Sequence, residues 1–274
     1  MTADIQLGTQ GWNYPAWVGP FYPIGTGPRD MLTTYARAFR TVEVDSTFYA
    51  IPPEPVVRGW IQRVPDDFHF SLKVPQQVTH ERRLVDVRGE LDRFLERVRP
   101  LGARLGVLLL QMAPDWRPTP ATRDVLEEFL AGLSGEFRWA IEFRDPGWLT
   151  AEILNLLTER RVALTLSDGR WLRRTRVFEC ARQPTADFAY VRWMGANRAI
   201  TDYSMVQLDR SADLSAWGEA LTALAQRVRT VFGYVNNHYQ GHSPETAREI
   251  QRRLGQQPVD PVSLRTQAEL FEAG

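Results

Sequence analysis

The chain of 274 residues places charged and amide side chains at the ends of short apolar runs. Glu43 and Asp45 lie in TVEVDSTF (41–48), Lys73 in FHFSLKV (68–74), Gln111 in GVLLLQM (106–112), and Glu142 and Arg144 in WAIEFR (139–144). Asp168 ends VALTLSD (162–168), Arg192 lies in AYVRWM (189–194), and Asn236, Asn237 and His238 end or follow VFGYVNN (231–237). Glu43 and Glu142 form a carboxylate pair suited to general acid–base work. Lys73, Arg144 and Arg192 supply positive charge for a phosphate or carboxylate, which arginine can grip through two N–H groups at once. Lys73 is also the one lysine among 33 basic residues, in a chain whose bias to arginine suits its genome's base composition. Arginine carries charge as well as lysine does, but it does not readily deprotonate or form a Schiff base. The surviving lysine is therefore a candidate base or amine nucleophile. Two arginines would depress its pKa and the carboxylates would oppose them, so the sign of the shift stays open.

Alternation assigns a direction to several of these groups. In VEVDS, Val42 and Val44 oppose Glu43 and Asp45; in FHFSLK, Phe68, Phe70 and Leu72 oppose His69, Ser71 and Lys73; in AIEFR, Ile141 and Phe143 oppose Glu142 and Arg144. With the apolar set packed on helices, the charged set points to the other side and must be paired or used. A self-satisfied network of Glu43, Lys73, Glu142, Arg144 and Arg192 is the structural alternative, although burying so many charges at one end costs stability.

The elements behind them repeat. IQLGTQ (5–10) joins the seven runs above to make eight strand-like segments, rich in apolar residues as buried parallel strands are. Between most of them apolar residues recur at helical spacing: Met31, Leu32, Tyr35 and Phe39; Val57, Trp60, Ile61 and Val64; Leu91, Phe94, Leu95 and Val98; Val125, Leu126, Phe129 and Leu133. Leu214, Trp217, Leu221, Leu224 and Val228 form the clearest stripe, and 169–188 the weakest. Thr119-Pro120 and Ser243-Pro244 read as N-caps followed by proline at the first helical position. The pattern predicts an α/β chain folded as one (β/α)₈ TIM barrel over 1–274, with active groups at the C-terminal strand ends. A doubly wound sheet is the alternative, but the first strand runs into GWNYPAW without the G-x-G-x-x-G spacing of a phosphate loop.

Composition narrows the partners. Formal net charge is zero, which removes a global pull toward nucleic acid or acidic membranes. A single cysteine, Cys180, rules out an intramolecular disulfide framework, and it reads as a buried or loop thiol. The N-terminus lacks a basic region followed by an apolar one, so the expected location is cytoplasmic with no membrane partner.

GTQGWNYPAWVGPFYP, FRTVEVDSTFYAIP, FHFSLKVPQQVTH, LGVLLLQMAP, WAIEFRDPGWL, YVRWMG and VFGYVNNHYQGHSPETA resemble, in order, the motifs of the YecE-like family, domain of unknown function 72. The resemblance covers about 5–254 and leaves 255–274 as a C-terminal extension. It implies a TIM barrel and no established reaction. It also implies shared positions at Gly11, Trp12, Glu43, Thr47, Phe48, Tyr49, Lys73, Thr79, His80, Gln111, Glu142, Arg144, Asp168, Arg192, Gly195 and Asn237. Asp45 stands where the family often has Asn, and Trp193-Met194 where Leu-His is common; the second change removes a histidine from the barrel mouth.

The resemblance places the aromatic segment 11–23 over that mouth. Trp12 and Tyr14 are expected to wall a pocket there, while Phe21 and Tyr22 pack on the first helix. The resulting expectation is an enzyme of the hydrolase, lyase or isomerase classes acting on a small anionic, phosphorylated or carboxylated, sugar-like molecule. Glu43, Lys73, Glu142 and Asp168 would be catalytic. Trp12, Tyr14, Tyr49, His80, Gln111, Arg144, Arg192, Asn236, Asn237 and His238 would bind the substrate. No cofactor is expected. The metal alternative is a single divalent ion on Glu43, Asp45, Glu142 or Asp168 with His80 or His238. Two further alternatives are a non-catalytic ligand-binding barrel and a nucleic-acid-processing protein like the endonuclease IV-type barrels. The latter would contact phosphates through Arg173, Arg174 and Arg176 in GRWLRRTRVF (169–178).

Overall fold

Eight parallel strands make the wall of a barrel: β1 (Asp4–Thr9), β2 (Thr41–Val44), β3 (His69–Lys73), β4 (Leu105–Gln111), β5 (Trp139–Glu142), β6 (Ala163–Gly169), β7 (Phe188–Gly195) and β8 (Thr230–Val235). Each is followed by a helix: α1 (Met31–Ala36), α2 (Glu54–Gln62), α3 (Arg88–Val98), α4 (Pro120–Ala131), α5 (Ala151–Glu159), α6 (Arg174–Ala181), α7 (Ser211–Leu224) and α8 (Ser243–Arg253). This computed structural model describes residues 3–195 and 199–265. Continuous ladders link the strands in the order β1-β8-β7-β6-β5-β4-β3-β2.

The ring closes differently between β1 and β2. Gln10 bridges Glu43, and the Gly11 amide donates to the Glu43 carbonyl at 2.8 Å. Below them the Tyr35 hydroxyl, reaching in from α1, accepts from the Thr9 amide at 2.9 Å and donates to the Thr41 carbonyl at 3.0 Å. A side chain thus completes a ladder that the backbones do not. Gly8 permits the crossing: a Cβ there would lie 2.1 Å from the Thr41 carbonyl oxygen and 2.9 Å from the Tyr35 hydroxyl.

Strand alternation sorts the core into two. Leu7, Val42, Phe70, Leu110, Ile141, Leu166, Val191 and Val231 face outward and pack on the helices, where α3 buries Leu91, Phe94, Leu95 and Val98 and α7 buries Leu214, Trp217, Leu221 and Leu224. Each such side chain stabilises by about 1.5–3 kcal/mol. Inside the barrel, Val107, Leu109, Ala140, Ala163, Phe188, Tyr190, Phe232 and Tyr234 form a separate cluster. Above it the interior turns polar: the Tyr234 hydroxyl hydrogen-bonds Thr41 at 2.6 Å and Ser71 at 2.7 Å.

Several local readings change. The weakly helical 169–188 segment contains α6, whose short apolar side is Val177, Cys180 and Ala181, too brief to show a clear period. Thr119 does cap α4, in a reciprocal box with Thr122. Ser243 does not cap α8; it is the first helical residue, and its amide and hydroxyl both donate to Asn237 Oδ1. Of the C-terminal extension, residues 255–265 fold back along the barrel. Gln256 Nε2 donates to the Ile5 carbonyl, Arg37 donates to the carbonyls of Ser263 and Leu264, and Leu264 is buried. The remainder, 266–274, lies outside the described residues. Among the described residues no helix is long and apolar enough to cross a membrane.

Candidate functional site at the barrel mouth

Tyr190 and Tyr234 form the floor, and charge begins one side-chain layer above them. Tyr190 donates its hydroxyl to Glu43 Oε2 at 2.6 Å. Arg192, two residues along β7 and 1% exposed, reaches across the barrel. Its Nη2 donates to Glu43 Oε1 at 2.7 Å, and its Nη1 to Glu142 Oε2 at 2.5 Å and Gln111 Oε1 at 2.9 Å. One guanidinium therefore ties β7 to β2, β4 and β5. Burial pushes the Glu43 carboxyl above the usual carboxylate range, with Arg192 pulling it back and Asp45 pushing the same way as burial. Burial also raises Glu142, but Arg192 and Arg144 together outweigh it and hold that carboxyl well below its ordinary value. Two carboxylates on one arginine are driven in opposite directions.

Around this strut lie groups with free sides. Lys73 Nζ sits 3.5 Å from Asp45 Oδ1 and 4.2 Å from the centre of the Phe48 ring. Burial lowers the Lys73 pKa, Asp45 opposing it and Arg192 adding to it. Asp45 Oδ1 is itself buried without a hydrogen-bond partner, and its other cationic neighbour, Arg192 Nη2, is 3.8 Å away. His80 lies edge-on to Phe48 with ring centres 4.9 Å apart. Burial first, then the fields of Arg144 and Lys73, lowers its pKa to about 4. Tyr14 packs at a tilt against Trp17, donates its hydroxyl to the Gln10 carbonyl at 3.0 Å, and has its own ionisation suppressed by burial and by Asp45. Tyr49 is exposed at the rim, packed edge-on to Phe48.

Arg144 donates to Glu142 Oε1 at 3.1 Å and lines a cleft of about 310 Å³. Arg170, Trp171, Met194, Gly195, Asn236 and His238 complete the lining. The Arg170 guanidinium lies over Trp171 at 4.3 Å and, among the described residues, has no carboxylate partner. Gly195 brings the end of β7 against the His238 turn: its φ is +70°, and a Cβ would stand 2.3 Å from the His238 carbonyl oxygen. Asn236 Nδ2 donates to Gln10 Oε1 at 2.7 Å. Among the described residues no three His, Cys, Asp or Glu side chains converge as a metal cage, and Arg192 fills the space between Glu43 and Glu142.

The structure brings together Glu43, Lys73, His80, Gln111, Glu142, Arg144 and Arg192, with Tyr14, Tyr49, Asn236 and His238 at the edges. Three candidates fall elsewhere. Asp168 shares the outward parity of Leu164 and Leu166, and its carboxylate accepts from Trp217 Nε1 at 2.7 Å, the Tyr239 hydroxyl at 2.9 Å and Arg174 Nε at 3.1 Å. Asn237 also points outward, its Oδ1 accepting from Ser243 and from Trp17 Nε1. Trp12 turns away from the cleft and packs edge-on to Trp60 of α2 at 6.0 Å and to Phe70 at 6.4 Å. Trp17, Phe21 and Tyr22 are fully buried, with Phe21 against Tyr35 and Phe39, so most of the aromatic loop is a plug.

The arginine run is largely neutralised. Arg174 pairs with Asp168 and Asp213, and Arg176 with Glu179 and the Leu149 carbonyl; Phe178 packs on Trp217. Residues that sequence reasoning passed over include Gln10, Tyr190 and Arg170. Gln10 was visible by parity, two positions beyond Gly8 on the inward side of β1. Arg170 and Trp171 belong to the segment whose arginines drew notice as a nucleic-acid patch, and they line the cleft instead.

Comparison with known proteins agrees with this architecture. Residues 6–269 match the family model described as protein of unknown function DUF72. UPF0759 protein YecE of Escherichia coli (strain K12) is 34% identical over 142 residues, which are 52% of this chain and 49% of that protein. The chain thus spans about half the length of the YecE relatives it matches. UPF0759 protein YunF of Bacillus subtilis (strain 168) is 23% identical over 266 residues, covering 90% of this chain and 93% of that one. A crystal structure of a DUF72 family protein from Thermotoga maritima superposes with a TM-score of 0.78 at 24% identity, covering 92% of this chain and 100% of that chain. Another, from Enterococcus faecalis, gives 0.72 at 21% identity, with 92% and 98% covered. Eight strands in this order, the charged ring at their ends and a family match along nearly the whole length lead to one assignment: the chain belongs to the DUF72 family.

Proposed function

We propose that the protein is an enzyme that binds a small phosphorylated or carboxylated molecule at the barrel mouth and works on it by general acid–base chemistry. The observation that carries this reading is the lining of the 310 Å³ cleft, which presents the guanidinium groups of Arg144 and Arg170 and no carboxylate. Such a wall favours an anion, and Trp171 beside it offers an apolar face. Glu43, Arg192 and Glu142 are bound to one another and hold the ring in shape. Proton transfer falls to Asp45, whose Oδ1 lacks a hydrogen bond, and to Lys73 next to it. His80, held neutral by its surroundings, and His238 can donate to or accept from a bound ligand. Nucleic-acid binding through Arg173, Arg174 and Arg176 is the weaker reading, since two of the three are already paired.

The test is calorimetric titration with inorganic phosphate at low ionic strength, followed by a turnover screen of phosphorylated and carboxylated metabolites. Binding that weakens in Arg144→Ala and in Arg170→Ala supports the reading. A protein that binds neither phosphate nor any carboxylate at low salt overturns it.

A further inference from the structure

One feature of the ring exceeds what ion pairing requires. Every other basic residue in the chain is arginine, yet β3 ends in lysine, where arginine would supply the same charge. The residue is 7% exposed, and its ion-pair partner, the Asp45 carboxylate, stands 3.5 Å from the amine. Phe48 covers one side at 4.2 Å. A buried amine whose ion pair is 3.5 Å long and whose other side is an aromatic face is poorly compensated as a cation. Burial and Arg192 lower its pKa against the opposing pull of Asp45, Glu43 and Glu142. Lys73 is level with Leu109 and Ala140 across β4 and β5, and Arg144 follows Ala140 by four residues, so the two backbones are about 16 Å apart. Both belong to the inward-facing set of side chains, and His80 lies close enough to feel the charge of each.

Resting on the anion-binding reading above, we propose that Lys73 is an amine nucleophile that forms an imine with the carbonyl group of a small anionic aldehyde or ketone. Asp45 takes one proton from the Lys73 ammonium. The free amine attacks the carbonyl carbon; the C–N bond forms, the C–O π pair moves to oxygen, and a proton passes from nitrogen to that oxygen. Asp45 returns its proton to the resulting hydroxyl, the C–O bond breaks, and water leaves. The sum is lysine ammonium plus carbonyl giving a protonated imine plus water, with no change of oxidation state. The protonated imine draws electrons from the adjacent carbon, so the class of reaction served is cleavage or formation of a bond one carbon away.

The lone lysine makes the test clean, because the only other amine is the N-terminus. The protein is incubated at neutral pH with pyruvate or glyceraldehyde 3-phosphate and sodium cyanoborohydride, then mapped by peptide mass spectrometry. The expected result is one adduct per chain on the Lys73 peptide, absent in Lys73→Arg. It should form at least about tenfold faster than on the same lysine in urea-unfolded chain, where no acid–base partner is held beside the amine. Asp45→Asn, which keeps the amine, should slow trapping by about 100-fold. Trapping at Lys73 no faster than in unfolded chain, or only at the N-terminus, overturns the proposal. If phosphate still binds in an Arg144-dependent way in that case, the anion-binding reading survives alone; if phosphate does not bind, both fall.

Discussion

Two carboxylate–arginine clusters stand at the same end of this barrel, one inside the ring and one outside it. Outside, Asp168 accepts from two Arg174 nitrogens, Nε and Nη2, and from Trp217 and Tyr239, while Arg174 Nη1 passes on to Asp213. Inside, Arg192 joins Glu43 and Glu142, yet the same cluster leaves Arg192 Nε and Asp45 Oδ1 buried without hydrogen bonds and two arginines facing a cleft. The outer cluster is closed and the inner one is not. A buried carboxylate whose donors are complete is cement for the helix layer, while unsatisfied polar atoms beside open space are where a ligand can gain hydrogen bonds.

The contrast can be broken by substitution. The largest effect belongs to Arg192→Met, which leaves Glu43 with only the Tyr190 hydroxyl and Glu142 with only Arg144; urea unfolding should show a loss of about 3–5 kcal/mol. Asp168→Ala removes the common acceptor of the outer cluster and should cost about 1–3 kcal/mol in the same assay, with phosphate affinity at the mouth unchanged. A parallel loss of binding would show that the outer cluster serves the site. Arg144→Ala should act the other way round: Glu142 keeps Arg192, so stability should move little, while phosphate affinity measured by calorimetry falls by about 10- to 100-fold.

The smallest effect is one of pH. The His80 pKa is lowered from 6.5 to about 4 in the fold, so the unfolded chain binds the proton more readily between those values. Above pH 6.5 neither state is protonated there and His80 contributes no slope; as pH falls from 6.5 to about 4, its contribution to stability declines and then levels off. His80→Gln should flatten that segment of a series of urea midpoints, and an unchanged slope would place its cause elsewhere.

The eight strands were legible because buried parallel strands are short apolar runs, and alternation oriented Glu43, Lys73, Glu142 and Arg144 correctly. The same alternation, carried along VALTLSD from Leu164 and Leu166, turns Asp168 outward; taking every strand-end charge as a mouth residue missed that distinction. Trp12 was unreadable for a different reason: a loop has no period, so nothing local says that its ring lies on Trp60 instead of over the cleft. α6 escaped because its apolar patch spans little more than one turn. The split between a closed and an open charge cluster depends on Trp217, Tyr239 and Asp213, which are remote in sequence from Asp168.

The Tyr35 hydroxyl gives the ring a clasp that belongs to a helix. Below the Gln10–Glu43 bridge, β1 and β2 are joined through a phenol delivered by α1, so that stretch of the seam depends on a docked helix. The amide of Thr9 is accordingly the place where loosening of that seam can be timed by hydrogen exchange.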